Sequence, residues 1–273
     1  GVAGVSDVER ITAALDDTHA ALIVQHPSFL GTLQQLGELA EAAHRTGALA
    51  ICVTDLHACA ALLPPGDAGF DIAVGDGQPL GIPASFGGPH VGFMAAKQSL
   101  VRRMPGRLVG VTVDHAGRRA YTLTLQAREQ HIRREHATSN ICTNHALIAL
   151  AATVYMAHMG AGGMRAIAEV SAQRAHHLAQ RLSAIDGFSL AHKQSPYLWE
   201  FVLHCPGDAA EFAAAMRERG IIAGLPLSRV GIDRPRDLLV CCTEMTPVDA
   251  IERYVEEASA LAARSVRRVP VTA

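Results

Sequence analysis

Lysine is nearly missing from this chain: it occurs twice, as Lys97 and Lys193, against 22 arginines. Chemistry that runs through a lysine amine therefore has two side chains to draw on, and neither has a neighbouring lysine to replace it. A charge excess is missing too. Acidic and basic residues nearly balance, for a formal −2 over 273 residues, so nothing electrostatic points to nucleic acid or an anionic membrane. Apolar runs such as Ala146 to Ala152 are interrupted well short of the ~20 residues that span a bilayer, and no signal peptide is visible. The six cysteines, Cys52, Cys59, Cys142, Cys205, Cys241 and Cys242, lack the paired Cys-x-x-Cys spacing of a zinc or redox site. They read as free buried thiols in a reducing cytoplasm. The chain begins at Gly1 without a methionine and enters a helix–strand pattern almost at once, as a fragment or a processed product would.

What is present alternates between two periods. Val8, Ile11 and Leu15 have helical spacing, Ala20 to Val24 suits a buried strand, and Leu33, Leu36, Ala40 and Ala43 mark a helix that Gly47 closes. Leu49 to Thr54 is a second buried strand. Strand, helix, strand with short links implies parallel strands and a right-handed crossover, the unit of an α/β sheet. Further strands are expected at 71–74 and 91–95, separated by an irregular loop over 79–89 that is dense in glycine and proline. A hairpin follows, 108–113 with 120–124 around Asp114 to Gly117. Helices are expected over 125–135, over 144–159 up to Gly160, and over 162–182. Beyond Gly187 short strands (188–191, 199–204, 237–243) alternate with helices (208–219, about 247–262). The organisation expected is the C-terminal part of a large α/β domain (1–160), a connecting helix (161–186), a small α+β domain (187–263) and a flexible tail (264–273).

Asp55 ends a buried parallel strand, where an open α/β sheet places groups that touch ligands. It can equally cap the helix that follows. His57 lies two residues on and His26 ends the preceding strand, so the three would share one rim, although His26 also suits a turn set by Pro27. No second histidine or carboxylate stands at a metal-ligand spacing from His26. The stretch from Thr122, TLTLQAREQHIRREHATSNICTN, is polar between apolar elements. Its Arg128, Arg133 and Arg134, with Thr138, Ser139 and Asn140, suit either a solvated helix or recognition of a partner.

Residues 71–93, DIAVGDGQPLGIPASFGGPHVGF, resemble the surroundings of the cofactor lysine in pyridoxal-phosphate enzymes, yet hold no lysine. This stretch, RRMPGRLVG at 102–110, LTLQAREQHIRREHATSNICTN at 123–144, GIIAGLPL at 220–227 and LLVCCTEMTP at 238–247 are similar to the P-protein family of the glycine cleavage system. The likeness covers nearly the whole chain and is greatest to the bacterial branch that forms subunit 1 of a two-subunit glycine dehydrogenase (decarboxylating), whose members begin well before the position of Gly1. The resemblance implies a pyridoxal-phosphate fold-type-I-like architecture, with a mixed or mostly parallel sheet, helices on both faces and a small α+β domain after it. It implies a complex that decarboxylates glycine and passes the aminomethyl group to the lipoyl H-protein. Pyridoxal phosphate would sit on the lysine of glycine dehydrogenase subunit 2, with no catalytic residue and no covalent cofactor on this chain. Asp55, in the place of the carboxylate that accepts the pyridinium N–H, would form a vestigial pocket with His57 and His26. Arg128, Arg133, Arg134, Thr138, Ser139 and Asn140 would face the partner. Two alternatives stay open: a stand-alone lyase or aminotransferase using Lys97, and a non-catalytic scaffold for H-protein.

Overall fold

The computed structural model describes residues 5–137, 139, 141 and 145–266. Helix α1 (Val8–Ala14) starts at Asp7, whose carboxylate accepts the Arg10 amide, and strand β1 (Ala21–His26) follows. In α2 (Leu36–Arg45) Leu36, Leu39, Ala40 and Ala43 form one buried stripe, as their spacing requires. β2 (Leu49–Thr54) runs parallel to β1, with Ala21 opposite Leu49 and His26 opposite Thr54. The short α3 (Leu56–Ala61) leads to β3 (Ile72–Asp76), parallel to β2, and β4 (Gly92–Ala96) returns antiparallel to β3. The sheet β1-β2-β3-β4 is therefore mixed. Val24, Ala50 and Cys52 pack with the α2 stripe and Phe70, while α1 adds Val8 and Ile11. The opposite face is more open, and Ile23 there is 65% exposed.

β5 (Leu108–Val113) and β6 (Arg119–Thr124) form the expected hairpin as a separate two-stranded ribbon. The helix expected over 125–135 does not form in one piece. Left-handed φ values at Leu125 and Arg134 interrupt it and leave the single turn α4 (Gln130–Arg133) between 3-10 turns. Arg128 and Glu129, in the segment read as either a solvated helix or a surface that faces a partner, are both buried within the chain, and these tertiary contacts override local propensity.

α5 (Ala146–Ser183) contains both helices expected on either side of Gly160, where the backbone leaves helical geometry. Length and composition alone would let it cross a bilayer. The apolar window that meets this test is only 11% buried, with Leu147, Leu150 and Val154 exposed; Ala152 and Met164 meet Leu80 and Ile82, and Ala175, Leu178, Ala179 and Leu182 enter a second core. That core belongs to a second sheet built from β7 (Ser189–Leu190), β8 (Glu200–His204), β9 (Leu225–Pro226) and β10 (Asp237–Cys241), flanked by α6 (Ala209–Arg217) and α7 (Val248–Val266). Its strand order is β7-β8-β10-β9, with all pairs antiparallel. Leu203, Leu238, Met216 and Ile251 are fully enclosed between strands and helices. Of the tail expected over 264–273, residues 264–266 continue α7, and 267–273 lie outside the described residues.

The loop after β1 fastens one half to the other. The Leu33 amide donates to the Pro196 carbonyl at 2.9 Å, Thr32 bridges to Tyr197, and Leu30 packs beside Val202 and Leu227. Gly31, at φ +82, leaves no room for a side chain, since a Cβ would lie 2.1 Å from the Glu200 carbonyl oxygen. Gly31→Ala is expected to cost about 3 kcal/mol or more, from left-handed strain added to overpacking. Gly47→Ala, at φ +80 with open space around it, should cost only about 1 kcal/mol. Urea denaturation of both variants measures the difference, and equal losses would contradict the tight seat of Gly31.

Candidate functional site

The C-terminal ends of β1 and β2 form a rim, and the three predicted residues meet there. His26 is 6% exposed. Its Nδ1 accepts the Gln34 amide at 3.0 Å, which puts the proton of the neutral ring on Nε2, and burial lowers its pKa. The ring thus braces its own loop. Asp55 caps α3, its Oδ1 accepting the amides of His57 at 2.7 Å and Ala58 at 3.2 Å. His57 is buried, with Nε2 3.2 Å from the Tyr155 hydroxyl and Nδ1 3.7 Å from Asp55 Oδ1. A polar chain therefore links the strand end, through an imidazole, to α5.

Tyr155, Glu200 and Glu244 are site residues that sequence reasoning missed. Burial raises the Glu200 carboxyl pKa and the negative Asp55 raises it further. Burial also raises the Tyr155 phenol, followed by the charges of Glu244 and Asp55. Ser171 Oγ donates to Glu244 Oε2 at 3.4 Å, and Arg174 is spent on the carbonyls of Thr243 and Glu244. The usable signal was Glu200 itself, a lone carboxylate opening an apolar strand. The result is a rim of carboxylates, a phenol and imidazoles. Nearby thiols add no nucleophile: burial pushes Cys52 up to about 12 and raises Cys59. Among the described residues no group of His, Cys, Asp or Glu could hold a metal ion, and the five described cysteines are free.

Lys97 lies at the other end of the sheet. Its neighbour Ala96 pairs with Ile72, and Ile72 with Ile51. Asp55 is four residues beyond Ile51, roughly 13 Å along the strand. Lys97 Nζ donates to Asp71 Oδ1 at 2.8 Å and to the Gly69 carbonyl at 2.9 Å. The alternative in which Lys97 carries a cofactor is set aside on this geometry. Lys193 is exposed between β7 and β8, so the rim has no amine.

In the polar segment, Arg128 is 9% exposed and donates through Nη2 to the Gly106 carbonyl at 2.8 Å, at the foot of the ribbon. Glu129 lies 3.7 Å from the same guanidinium. Arg133 and Arg134 are exposed and Ser139 is half-buried, while Thr138 and Asn140 lie outside the described residues.

The glycine cleavage system P-protein family model matches residues 3–257. A probable glycine dehydrogenase (decarboxylating) subunit 1 of Thermomicrobium roseum is 46% identical over 242 residues, which cover 89% of this chain and 54% of that protein. The protein of the same name from Shouchella clausii is 44% identical over 259 residues, covering 95% and 57%. The crystal structure of a glycine decarboxylase (P-protein) of the glycine cleavage system, in inhibitor-bound form, superposes with a TM-score of 0.84 at 43% identity, over 90% of this chain and 56% of that one. A NifS-like protein from Rickettsia africae shares the fold alone, with a TM-score of 0.67 at 12% identity over 96% and 68%. The architecture is the expected pyridoxal-phosphate fold type I. The chain spans about half the length of the curated relatives it matches.

Asp71 gives the site's surroundings a measurable acid response. Burial opposes its charge, but hydrogen bonds from Lys97, the Ala50 amide and His44 outweigh burial and hold the carboxyl at about 2. A folded pKa below the unfolded value of 3.8 contributes stability that is complete above pH ~4 and fades as pH falls toward ~2. Asp71→Asn should therefore destabilise the chain at pH 7 and flatten the loss between pH 4 and 2. Denaturation midpoints against pH test this, and an unchanged acid slope would remove Asp71 from the account.

Proposed function

Because the chain belongs to the glycine cleavage system P-protein family, we propose that it is the supporting subunit of a glycine dehydrogenase (aminomethyl-transferring). The complex decarboxylates glycine and passes the aminomethyl group to the lipoyl arm of H-protein, in the cytoplasm. Glycine dehydrogenase subunit 2 supplies the cofactor lysine. The observation that carries this reading is the rim without an amine. Pyridoxal phosphate needs a lysine to be held covalently, and neither lysine of this chain reaches the rim. The residues present do not fit a covalently bound cofactor, so no chemical step is assigned to them. His26, Asp55 and His57 are read as a vestigial pocket whose polar groups now cap, brace and join elements.

The division into 1–160, 161–186 and 187–263 is part of this reading; the two separate sheets support it, while the helix between them spans Ala146–Ser183 with its break at Gly160. Exposed Arg133 and Arg134, with Thr138, Ser139 and Asn140, are read as contacts to subunit 2, whereas Arg128, expected to face the partner as well, is buried against the Gly106 carbonyl. Arg133→Ala combined with Arg134→Ala should weaken assembly with subunit 2 roughly tenfold or more, since each guanidinium offers forked, charge-assisted hydrogen bonds. Unchanged assembly and turnover would sink that assignment. Borohydride reduction after incubation with pyridoxal phosphate, read by intact mass, should place a stoichiometric adduct on subunit 2 and none on this chain. A stoichiometric adduct at Lys97 would make this chain a catalyst in its own right.

A further inference from the structure

We propose that the seam between the loop after β1 and the second sheet is a proton-operated latch, closed while His26 and His192 are neutral and released when they take up protons. One ring stands on each side of it. His26 anchors the loop over 27–34 by accepting the Gln34 amide through Nδ1 at 3.0 Å. That loop meets the turn over 192–197 through the Leu33 amide on the Pro196 carbonyl and the bridge from Thr32 to Tyr197. His192 opens the turn: its carbonyl accepts the Ser195 amide at 3.1 Å, and its ring shares a small void with Leu30, Thr32, Ser195 and Tyr197. The His192 Nε2 lies 3.4 Å from Arg234 Nη1.

A guanidinium only donates, so Nε2 of His192 accepts and the proton of the neutral ring sits on Nδ1. That atom is enclosed and has no acceptor among the described residues. Protonating His192 sets an N–H and a positive charge against the Arg234 guanidinium; protonating His26 puts a proton on Nδ1, where the Gln34 amide already points. Each ring then loses its contact and carries a charge while only 6% and 8% exposed, which is costly without a counter-charge. The surrounding charges do not supply one. Burial alone lowers the His26 pKa. Burial and then Arg234 lower that of His192 against the pull of Asp237, and Asp237 is already held by Arg234 Nε and His204 Nδ1, both at 2.6 Å. Lys193, next in the chain, is exposed. Glu200, whose backbone abuts Gly31, answers in the opposite sense, because its raised carboxyl takes up a proton more readily in the folded chain. Folded histidine pKa values below the unfolded 6.5 give stability that is complete above that pH and is lost as pH falls through the folded values. The loss begins well above the range in which Asp71 responds.

The test is hydrogen exchange of the chain at about pH 7.5 and about pH 5.5, corrected for the intrinsic exchange rate, with each histidine expected to contribute up to about tenfold per pH unit below its unfolded pKa. Amides over 28–34 and 192–197 should lose protection about tenfold or more at the lower pH, while those of α2 and β10 keep theirs. His26→Asn combined with His192→Gln leaves an acceptor near each nitrogen and removes the titration, so this double variant should hold the seam closed at both pH values. His115→Gln, exposed in the ribbon turn, should open as the unaltered chain does. A seam that stays closed in the unaltered chain at the lower pH, or that opens only together with α2 and β10, overturns the proposal, and this measurement decides even where the double variant fails to fold. A folded double variant whose seam opens as far as that of the unaltered chain overturns it as well.

Discussion

The packing of α5 is the constraint on which the rest of the molecule depends. One helix supplies Ala152 and Met164 to the core beneath the Leu80–Ile82 loop, then Ala175, Leu178 and Leu182 to the core of the second sheet. The break at Gly160 lets the two halves take different directions. Tyr155, on the first half, reaches His57; Ser171 and Arg174, on the second, reach Glu244 and the chain beside it. The same helix therefore sets both the core geometry and the polar composition of the rim. The loop at Gly31 adds the second fastening, from β1 to the start of β8.

That composition explains how a fold that elsewhere accommodates pyridoxal phosphate carries different groups here. A pocket that holds pyridoxal phosphate covalently needs an amine. This rim concentrates carboxylates, with burial and then the charge of Asp55 raising the pKa of Glu200, and it ties its imidazoles into structural contacts. The one lysine attached to the sheet is locked at the far end by Asp71.

Much of the fold was legible in the sequence, because β1, β2 and the α2 stripe follow from local periodicity. The hairpin strands and the interruption at Gly160 also stood close to where residue chemistry placed them. The failure at 125–135 has a physical cause: a polar pattern says that residues prefer water, and it cannot say that Arg128 will find the Gly106 carbonyl. The candidate site was half legible. Asp55, His57 and His26 stand where strand ends can be counted, and the capping alternative for Asp55 was visible too. Tyr155, Glu200 and Glu244 were not, because they reach the rim from a helix and a second sheet whose approach no short window encodes.

The polar contacts that complete the rim carry a consequence in time. His57 and Tyr155 are 98 residues apart, Ser171 and Glu244 are 73 apart, and Arg174 and Glu244 are 70 apart. The β1–β2 pairing, by contrast, closes over a single helix. Long loops cost entropy before their contacts return any, so the rim belongs to the last-formed part of the molecule. A growing chain that has made the first sheet still has no site, and gains one only when residues beyond 240 come back to meet those near 55 and 155.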